Sequence, residues 1–427
     1  MDDRRRRALR FFLVSVVAAQ AAIQLGRAFF HPKQGLDLAP SYLAAKLLLR
    51  GDVRFYDERV VGPAGTALGM HGPAGPGDAV VPFLYPPWVP AAYVPLALLP
   101  WDVARVVWFL LSAAATLLAL LLLAKAMAFE AGEERPLALA ALAAAAFFFP
   151  FFYGLMTGQV NSALLLLLAG SLFLFRKGSG FVAGLALAPA ALVKPFLAVP
   201  ALVFAVRRSW SALLGFAAGG AGLALLGIAS GGPAGWREWQ ARIVVHNTLD
   251  RFELRNHSVA SAALALFSPG SGIEPALSAP ALVRPFTVVL SAVAIVLTLL
   301  SAWPSRTGAS RPEIGFGAAL VLGLLLTPRS WEHYGVFLIP AFLAAYAALG
   351  REDDAPSRPA LALLGLSYAV WAFALFSKEE YAALARRPLS LLLPLKTYAA
   401  FILLGLLAWA ARRRPAPEEG PLQRRSE

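Results

Sequence analysis

The stretch that decides the fold is "NSALLLLLAGSLFLFRKGSGFVAGLALAPAALVKPFLAVPALVFAVRRSW", residues 161–210. Two long apolar runs are separated by one basic cluster and followed by another, and a membrane-spanning helix needs about 20 apolar residues. A single helix over 181–206 would place the two basic clusters on opposite sides of a membrane, against the positive-inside rule. Pro195 removes a backbone donor and disfavours helix at the preceding residue. We therefore predict two short helices that run out and back, with Lys194 at the turn near the outer face.

The composition extends this interpretation to the whole chain. Of its 427 residues, 59% are hydrophobic and 15% are charged, whereas soluble proteins are about 45–50% apolar and about 25% charged. The formal charge of +13 comes from short basic clusters between apolar runs, which indicates a topology signal rather than nucleic-acid binding. The chain has no cysteine, which excludes a disulfide or a thiol nucleophile, and it has no glycine-rich nucleotide-binding motif. These features predict an all-α polytopic transmembrane bundle.

The order of basic clusters and apolar runs predicts about twelve helices, two long external loops and both termini in the cytoplasm. The basic N-terminus precedes a first helix that we expect to be retained, because no convincing cleavage site follows it. Helix 3 is predicted over 136–154 and helix 7 over 210–230. The predicted segments are 1–30 (N-terminus and first helix), 31–103 (external loop with interfacial helices), 104–230 (helices 2–7), 231–280 (second external loop), 281–411 (helices 8–12) and 412–427 (basic cytoplasmic tail).

This topology brings many polar and ionisable side chains to the outer face. Ionisable groups at membrane depth are functional candidates by default. The candidates are Asp37, Tyr85, Gln159, Asn161, Lys194, Arg255, Asn256, His257, Ser258, Arg329, Glu332 and His333.

Each candidate also has a purely structural interpretation. Asp37 could be a solvated loop carboxylate, and Tyr85 could anchor the interface. Lys194 could extend to the headgroups, and Glu332 could pair with Arg329. The remaining structural roles are helix capping for Gln159, Asn161, Asn256 and Ser258, lipid-phosphate binding for Arg255 and a core hydrogen bond for His333.

Five pieces of sequence carry a resemblance to a known family. They are "LDLAPSYLAAKLLLRGDVRFYD" (36–57), "FLYPPWVPAAYVPLALLP" (83–100), the segment from "GQVN" to "RRSW" (158–210), "RNHSVASAALALF" (255–267) and "TPRSWEHYGVFLIP" (327–340). The chain resembles glycosyltransferase family 87, whose members are GT-C-type integral membrane enzymes.

The resemblance implies transfer of a sugar, mannose first among the candidates, from a polyprenyl-phosphate donor to a lipid or glycan acceptor. It places the catalytic acid of the first external loop at Asp37. A carboxylate there can accept the proton of the attacking hydroxyl, and His333 could orient the acceptor or contact the phosphate. The implied donor-phosphate and sugar-binding residues are Lys194, Arg255, Arg329, Tyr85, Gln159, Asn161, Asn256, His257, Ser258 and Glu332.

The resemblance also sets the partners and the location. We expect an enzyme of the inner or plasma membrane with its active site facing outside, in contact with membrane lipids and not with nucleic acid. No cofactor is expected, and metal dependence stays open. Two alternatives remain: a transporter or flippase of lipid-linked sugars, because charges and a proline-broken helix also mark transport sites, and a non-catalytic scaffold for envelope assembly.

Overall fold

The protein is described from a computed structural model. The structure describes residues 3–68, 70, 83–128, 134–248, 255–270, 273–304, 311–349, 358–374, 380 and 383–412. Most of the predicted tail at 412–427 therefore lies outside the described residues.

Within these ranges the protein is helical and contains no strand. The α-helices are α1 (Asp3–Phe29), α2 (Ala39–Leu49), α3 (Glu58–Ala67), α4 (Val89–Ala97), α5 (Trp101–Met127), α6 (Glu134–Ala146), α7 (Phe149–Thr157), α8 (Asn161–Arg176), α9 (Gly180–Val193), α10 (Ala201–Val206), α11 (Trp210–Thr248), α12 (Val259–Phe267), α13 (Val283–Ala302), α14 (Pro312–Leu326), α15 (Ile339–Leu349), α16 (Arg358–Ala372) and α17 (Leu395–Arg412). Short 3-10 helices cover Pro195–Ala198, Pro280–Leu282, Glu332–Leu338 and Leu389–Leu392.

Six helical segments are long and apolar enough to cross a membrane, and a bent pair could form a seventh span. Several other apolar helices are shorter, with 10–17 residues each, so fewer segments span by length alone than the twelve predicted helices. The six are Phe11–Phe29, Trp101–Met127, Trp210–Val245, Pro280–Ala302, Glu332–Leu349 and Leu395–Arg412. The predicted all-α polytopic class is confirmed.

The break predicted at Lys194 is present. α9 ends there in an extended backbone conformation, and Pro195 opens a 3-10 turn that leads into α10. The start of α9 packs against the start of α11, where a Cβ on Gly184 would overlap the Ala212 carbonyl and one on Gly180 would lie 2.5 Å from the Ser211 hydroxyl oxygen. Both helices therefore begin at the same end of the bundle, and the chain between them runs out and back.

A buried ion pair closes that end of the bundle. Arg176, the last residue of α8, lies 2.9 Å from Glu313 in the first turn of α14, and both side chains are almost fully buried. Glu313 also interacts electrostatically with Arg207, which follows α10. The ends of α8 and α10 and the start of α14 therefore share one end.

The segment predicted as the second external loop, 231–280, begins with a helical stretch. Helix α11 continues to Thr248 across a kink at Gly232, whose φ of 65° lies in the left-handed region. Pro233 suits the first turn of the helix that follows, because its missing donor would have no partner there. The Trp239 indole nitrogen donates to the Leu84 carbonyl at 3.1 Å. This amphipathic continuation was missed because a tract with many polar residues was interpreted as a loop.

Helix 3, predicted over 136–154, is also divided. α6 and α7 meet at an angle of 64°. Pro150 lies in the first turn of α7, where proline is tolerated, whereas inside a continuous helix it would remove a hydrogen bond and clash with the preceding turn. α7 thereby ends at Gly158, close to the loop that carries Asp37.

Candidate functional site

The loop that carries Asp37 is fixed to the end of α7 by its backbone. The Asp37 amide donates to the Thr157 carbonyl at 2.7 Å, and the Gly35 amide donates to the Met156 carbonyl at 3.3 Å. Gly158 has a φ of 75°, and a Cβ there would lie 3.1 Å from the Leu38 Cβ. Glycine thus permits both the left-handed turn and the close approach of the two backbones.

The Asp37 carboxyl is half-buried among polar groups of other segments. Burial raises its pKa, whereas side-chain hydrogen bonds with Thr157 and Gln159 and the charge of Lys194 act in the opposite direction. The other acids of the first loop differ: Asp52 pairs with Arg54 and Asp57 pairs with Arg59, two exposed local pairs. Of these three acids, Asp37 faces groups from the end of α7, from the turn before α8 and from the break at Lys194.

Lys194 contributes the amine of this group, and burial lowers its pKa to about 7 while the charge of Asp37 acts in the opposite direction. Its side chain is 6% exposed, and its Nζ lies 3.9 Å from the centroid of the Tyr334 ring. It also interacts electrostatically with Asp37 and with His333. The sequence prediction placed these three ionisable groups on one face, and the structure brings them into one cluster.

Tyr85 borders the same cluster. Its phenol interacts electrostatically with Asp37 and Tyr334, and burial raises its pKa, so that the hydroxyl is protonated at neutral pH. The Tyr85 carbonyl accepts a hydrogen bond of 2.6 Å from the Tyr56 hydroxyl. This contact anchors the segment, and a protonated phenol can donate a hydrogen bond.

Gln159 and Asn161 supply acceptors at the start of α8. Both side chains are buried, and within the described part of the chain Gln159 Oε1 and Asn161 Oδ1 have no hydrogen-bond partner. Asn161 Nδ2 donates to the His333 carbonyl at 3.1 Å. Buried polar atoms are satisfied in the great majority of cases, so these two oxygens are candidate acceptors for hydroxyl groups.

Residues 255–258 and 327–334 together form one wall of the site. An antiparallel bridge joins Asn256 to Trp331, and the His257 amide donates to the Ser330 carbonyl at 2.9 Å. Asn256 Oδ1 accepts from the Ser330 and Ser258 amides, at 2.8 and 3.1 Å. The Ser258 hydroxyl accepts from the Ser261 amide at 3.2 Å and caps α12. The side chains of Asn256 and Ser258 are therefore engaged in building the wall.

His333 is part of an aromatic stack on this wall. Its ring lies parallel to Tyr153, with centroids 5.5 Å apart, and edge-on to Tyr334 at 4.7 Å. The imidazole is half-buried. A parallel stack fixes the plane of the ring, so His333 presents its nitrogens in a defined direction.

The remaining predicted residues, Arg255, His257 and Arg329, belong to the two segments that the Asn256–Trp331 bridge joins. His257 is buried, its Nε2 has no hydrogen-bond partner within the described ranges, and its ring meets Trp371 edge-on at 5.4 Å. Burial lowers the pKa of His257, and the charges of Lys396 and Arg255 act in the same direction, so that the imidazole is neutral. Arg329 lies 5.9 Å from the Trp331 ring centroid.

Glu332 has a partner that the sequence did not indicate. Its carboxylate accepts a hydrogen bond of 2.5 Å from Lys396 Nζ at the start of α17, and Lys396 is 1% exposed. Glu332 forms its ion pair with Lys396, whereas the sequence suggested Arg329 as its partner. Lys396 and Trp371 were both missed, although a single lysine beside an apolar helix is the signal that could have marked Lys396.

The described residues show no group of three or more His, Asp or Glu that could hold a metal ion. What the arrangement offers is a carboxylate beside a buried ammonium, unsatisfied acceptors and a rigid aromatic wall. Such a set can accept a proton from a hydroxyl and bind an anion.

No curated protein and no solved structure matches the chain. The model of glycosyltransferase family 87 matches residues 83–328, which is more than half of the chain. This range holds Tyr85, Gln159, Asn161, Lys194 and the 255–258 segment, whereas Asp37 and the wall beyond residue 328 lie outside it. The chain therefore belongs to glycosyltransferase family 87, and it is a membrane glycosyltransferase.

Proposed function

We propose that this glycosyltransferase moves a hexose, mannose first among the candidates, from a polyprenyl-phosphate donor to a lipid or glycan acceptor on the extracytoplasmic face. The observation that carries the proposal is the electrostatic interaction of the half-buried Asp37 carboxylate with the buried Lys194, in a group that also includes Gln159, which hydrogen-bonds Asp37, and the start of α8 with the unsatisfied oxygen of Asn161. These groups match the proton acceptor, the anion site and the sugar acceptors that such a transfer needs.

In the proposed reaction the acceptor hydroxyl attacks the anomeric carbon of the donor sugar. A bond forms between the hydroxyl oxygen and that carbon, and the bond from the carbon to the phosphate oxygen breaks. Asp37 takes the hydroxyl proton as general base, and polyprenyl phosphate leaves with the bonding electron pair. Lys194 stabilises the negative charge that develops on the phosphate, and Arg255 and Arg329 lie on the wall as further cations.

Specificity for a sugar is assigned to the polar groups around this centre. Gln159 Oε1 and Asn161 Oδ1 accept hydrogen bonds from sugar hydroxyls, and the protonated Tyr85 hydroxyl donates one. His333, whose ring stacks in parallel on Tyr153, orients the acceptor. We assign His257 to the donor-binding region. Asn256, Ser258 and Glu332 stabilise the wall through the hydrogen bonds described above.

The location of the site supports a lipid-borne donor. Asp37 and Lys194 lie at breaks between apolar helices, and α8 separates Asn161 from Arg176 by about 22 Å at 1.5 Å per residue. The opposite end carries the basic clusters, which the positive-inside rule assigns to the cytoplasm. A donor with a polyprenyl chain can reach such a site sideways from the bilayer.

The proposal is tested with the purified protein in lipid nanodiscs and a radiolabelled polyprenyl-phosphate mannose donor. We expect labelled product with this donor and none with a nucleotide sugar. Asp37→Asn should lower turnover by at least about 100-fold, because general-base catalysis is worth about 100- to 10,000-fold. Asp57→Asn is the matched control, since Asp57 caps α3 and pairs with Arg59 on the surface, and it should transfer at nearly the parental rate.

Two results would contradict the proposal. Equal transfer by Asp37→Asn and the parent would remove Asp37 from catalysis. Movement of the labelled lipid across a bilayer without a new glycosidic bond would favour the flippase alternative.

A further inference from the structure

Lys396 occupies an unusual place for a lysine. It lies in the first turn of α17 and is almost fully buried, although cations are favoured at the C-terminal end of a helix and disfavoured at its N-terminus. Burial of an ammonium is also costly unless it is paired and hydrogen-bonded. A specific partner is therefore needed to hold it there, and that partner is Glu332 at 2.5 Å.

The first turn of α17 fastens both segments of the wall. Lys396 holds Glu332, the neighbour of His333, and Thr397 Oγ1 donates to the His257 carbonyl at 2.9 Å. The two held segments are themselves joined by the bond from the His257 amide to the Ser330 carbonyl. Two adjacent residues of one helix thus fix the 255–258 segment and the 330–334 segment relative to each other.

Trp371 fills the space behind this junction. The Lys396 Nζ lies 5.4 Å from its ring centroid, and the His257 ring meets it edge-on. A Cβ on Gly335 would lie 2.9 Å from Trp371 Cε3, so the turn that carries His333 packs directly on the indole. The wall therefore has no room to shift toward α16.

From this geometry we infer that Lys396 is a positioning residue for the glycosyl transfer: through Glu332 it sets the place of His333 on the wall. The inference rests on the proposed role of His333. It assigns a function to a residue that lies outside the range matched by the family model. Lys396 touches neither donor nor acceptor in this assignment.

The test uses Lys396→Met in the full-length protein in nanodiscs. We expect kcat to fall about 10- to 100-fold, because a displacement of about 1 Å in an active site can cost about 100-fold. The KM for the donor should change little, since Lys194 and Asp37 are untouched. Amide hydrogen exchange of residues 255–258 and 330–334 should become at least about tenfold faster, because local opening sets exchange rates.

Glu313→Gln is the matched control. It also breaks a buried ion pair, with side-chain exposures of 3% for Arg176 and 4% for Glu313 against 1% for Lys396 and 10% for Glu332. Glu313 lies at the far end of α14, about 20 Å from the wall for a helix of this length. It should lower thermal stability while kcat and exchange of the wall segments stay at the parental values.

Loss of one partner leaves a buried charge, so Lys396→Met could fail to fold. The paired variant Lys396→Met/Glu332→Leu removes both charges and serves in that case, with the same fall in kcat and the same faster exchange expected. Parental exchange in either variant overturns the inference, and so does faster exchange with unchanged kcat. Absence of transfer from every polyprenyl-phosphate donor by the parent would instead contradict the proposed function, and the exchange result would still stand.

Discussion

Replacement of Lys194 by methionine tests the proposed phosphate site most directly. Methionine keeps the length of the side chain and removes the ammonium, which is 6% exposed and lies 3.9 Å from the Tyr334 ring centroid. A hydrogen bond to a charged group is worth about 1.5–3 kcal/mol. At about 1.4 kcal/mol per tenfold, the dissociation constant of a phosphate ligand should rise about 10- to 150-fold.

The assay compares polyprenyl phosphate with the corresponding polyprenyl alcohol on nanodisc-embedded protein. The variant should weaken binding of the phosphate and leave binding of the alcohol unchanged, because only the phosphate meets the ammonium. Lys46→Met is the matched control: Lys46 also lies over a tyrosine, 5.5 Å from the Tyr42 ring centroid, but in α2. That variant should bind both ligands as the parent does.

Equal affinity of the parent and Lys194→Met for the phosphate would refute the assignment and leave Lys194 as a structural lysine. A lower melting temperature alone would not support it. Removing a buried ammonium relieves a desolvation cost, so the melting temperature of the variant should be close to the parental value or higher.

Three further predictions concern the same site. Because burial raises the pKa of Asp37 and Lys194 opposes that shift, the acidic limb of the kcat/KM profile should lie above the usual carboxylate range and move to higher pH in Lys194→Met. Gly158→Ala should lower the melting temperature and kcat together, since a left-handed non-glycine residue costs about 1–2 kcal/mol and the substitution crowds the Asp37 loop; a parental kcat would show that this contact does not matter. Because the chain has no cysteine, Arg237→Cys should react with an impermeant thiol reagent in intact cells and Lys177→Cys should be protected, and the reverse pattern would invert the proposed orientation.

The sequence predicted those parts of the structure that depend on which side of the membrane each segment occupies. Two basic clusters on the same side of a membrane require an even number of crossings between them, so the chain had to reverse. Pro195 was the residue that could produce the reversal, and the break at Lys194 was therefore predictable. The grouping of Asp37 with Gln159, Lys194 and His333 followed from the same reasoning, because residues assigned to one end of a helical bundle lie close together.

Pairings between distant segments could not be predicted in this way. Lys396 and Glu332 are 64 residues apart, and a single lysine after Pro394 has the same local pattern whether it pairs, extends to headgroups or lies in a loop. Likewise, the tract after Gly232 is amphipathic, and its helix is identified by the packing of Trp239 on the first loop rather than by hydropathy. Local patterns specify elements, whereas partner choice depends on the folded surroundings.

The site lies where helices break, and this placement has a physical consequence. Inside a membrane protein, irregular backbone must find its hydrogen-bond partners in neighbouring segments. Here the backbone groups at the breaks find hydrogen-bond partners in other segments. The Asp37 amide donates to the Thr157 carbonyl, Trp108 donates to the Gly158 carbonyl at 2.8 Å, and Asn161 donates to the His333 carbonyl. The bonds that make the breaks tolerable are therefore the same bonds that set the relative positions of the proposed base, sugar acceptors and wall. Substitutions at these backbone junctions should change kcat and stability together, whereas Asp37→Asn and Lys194→Met should separate them.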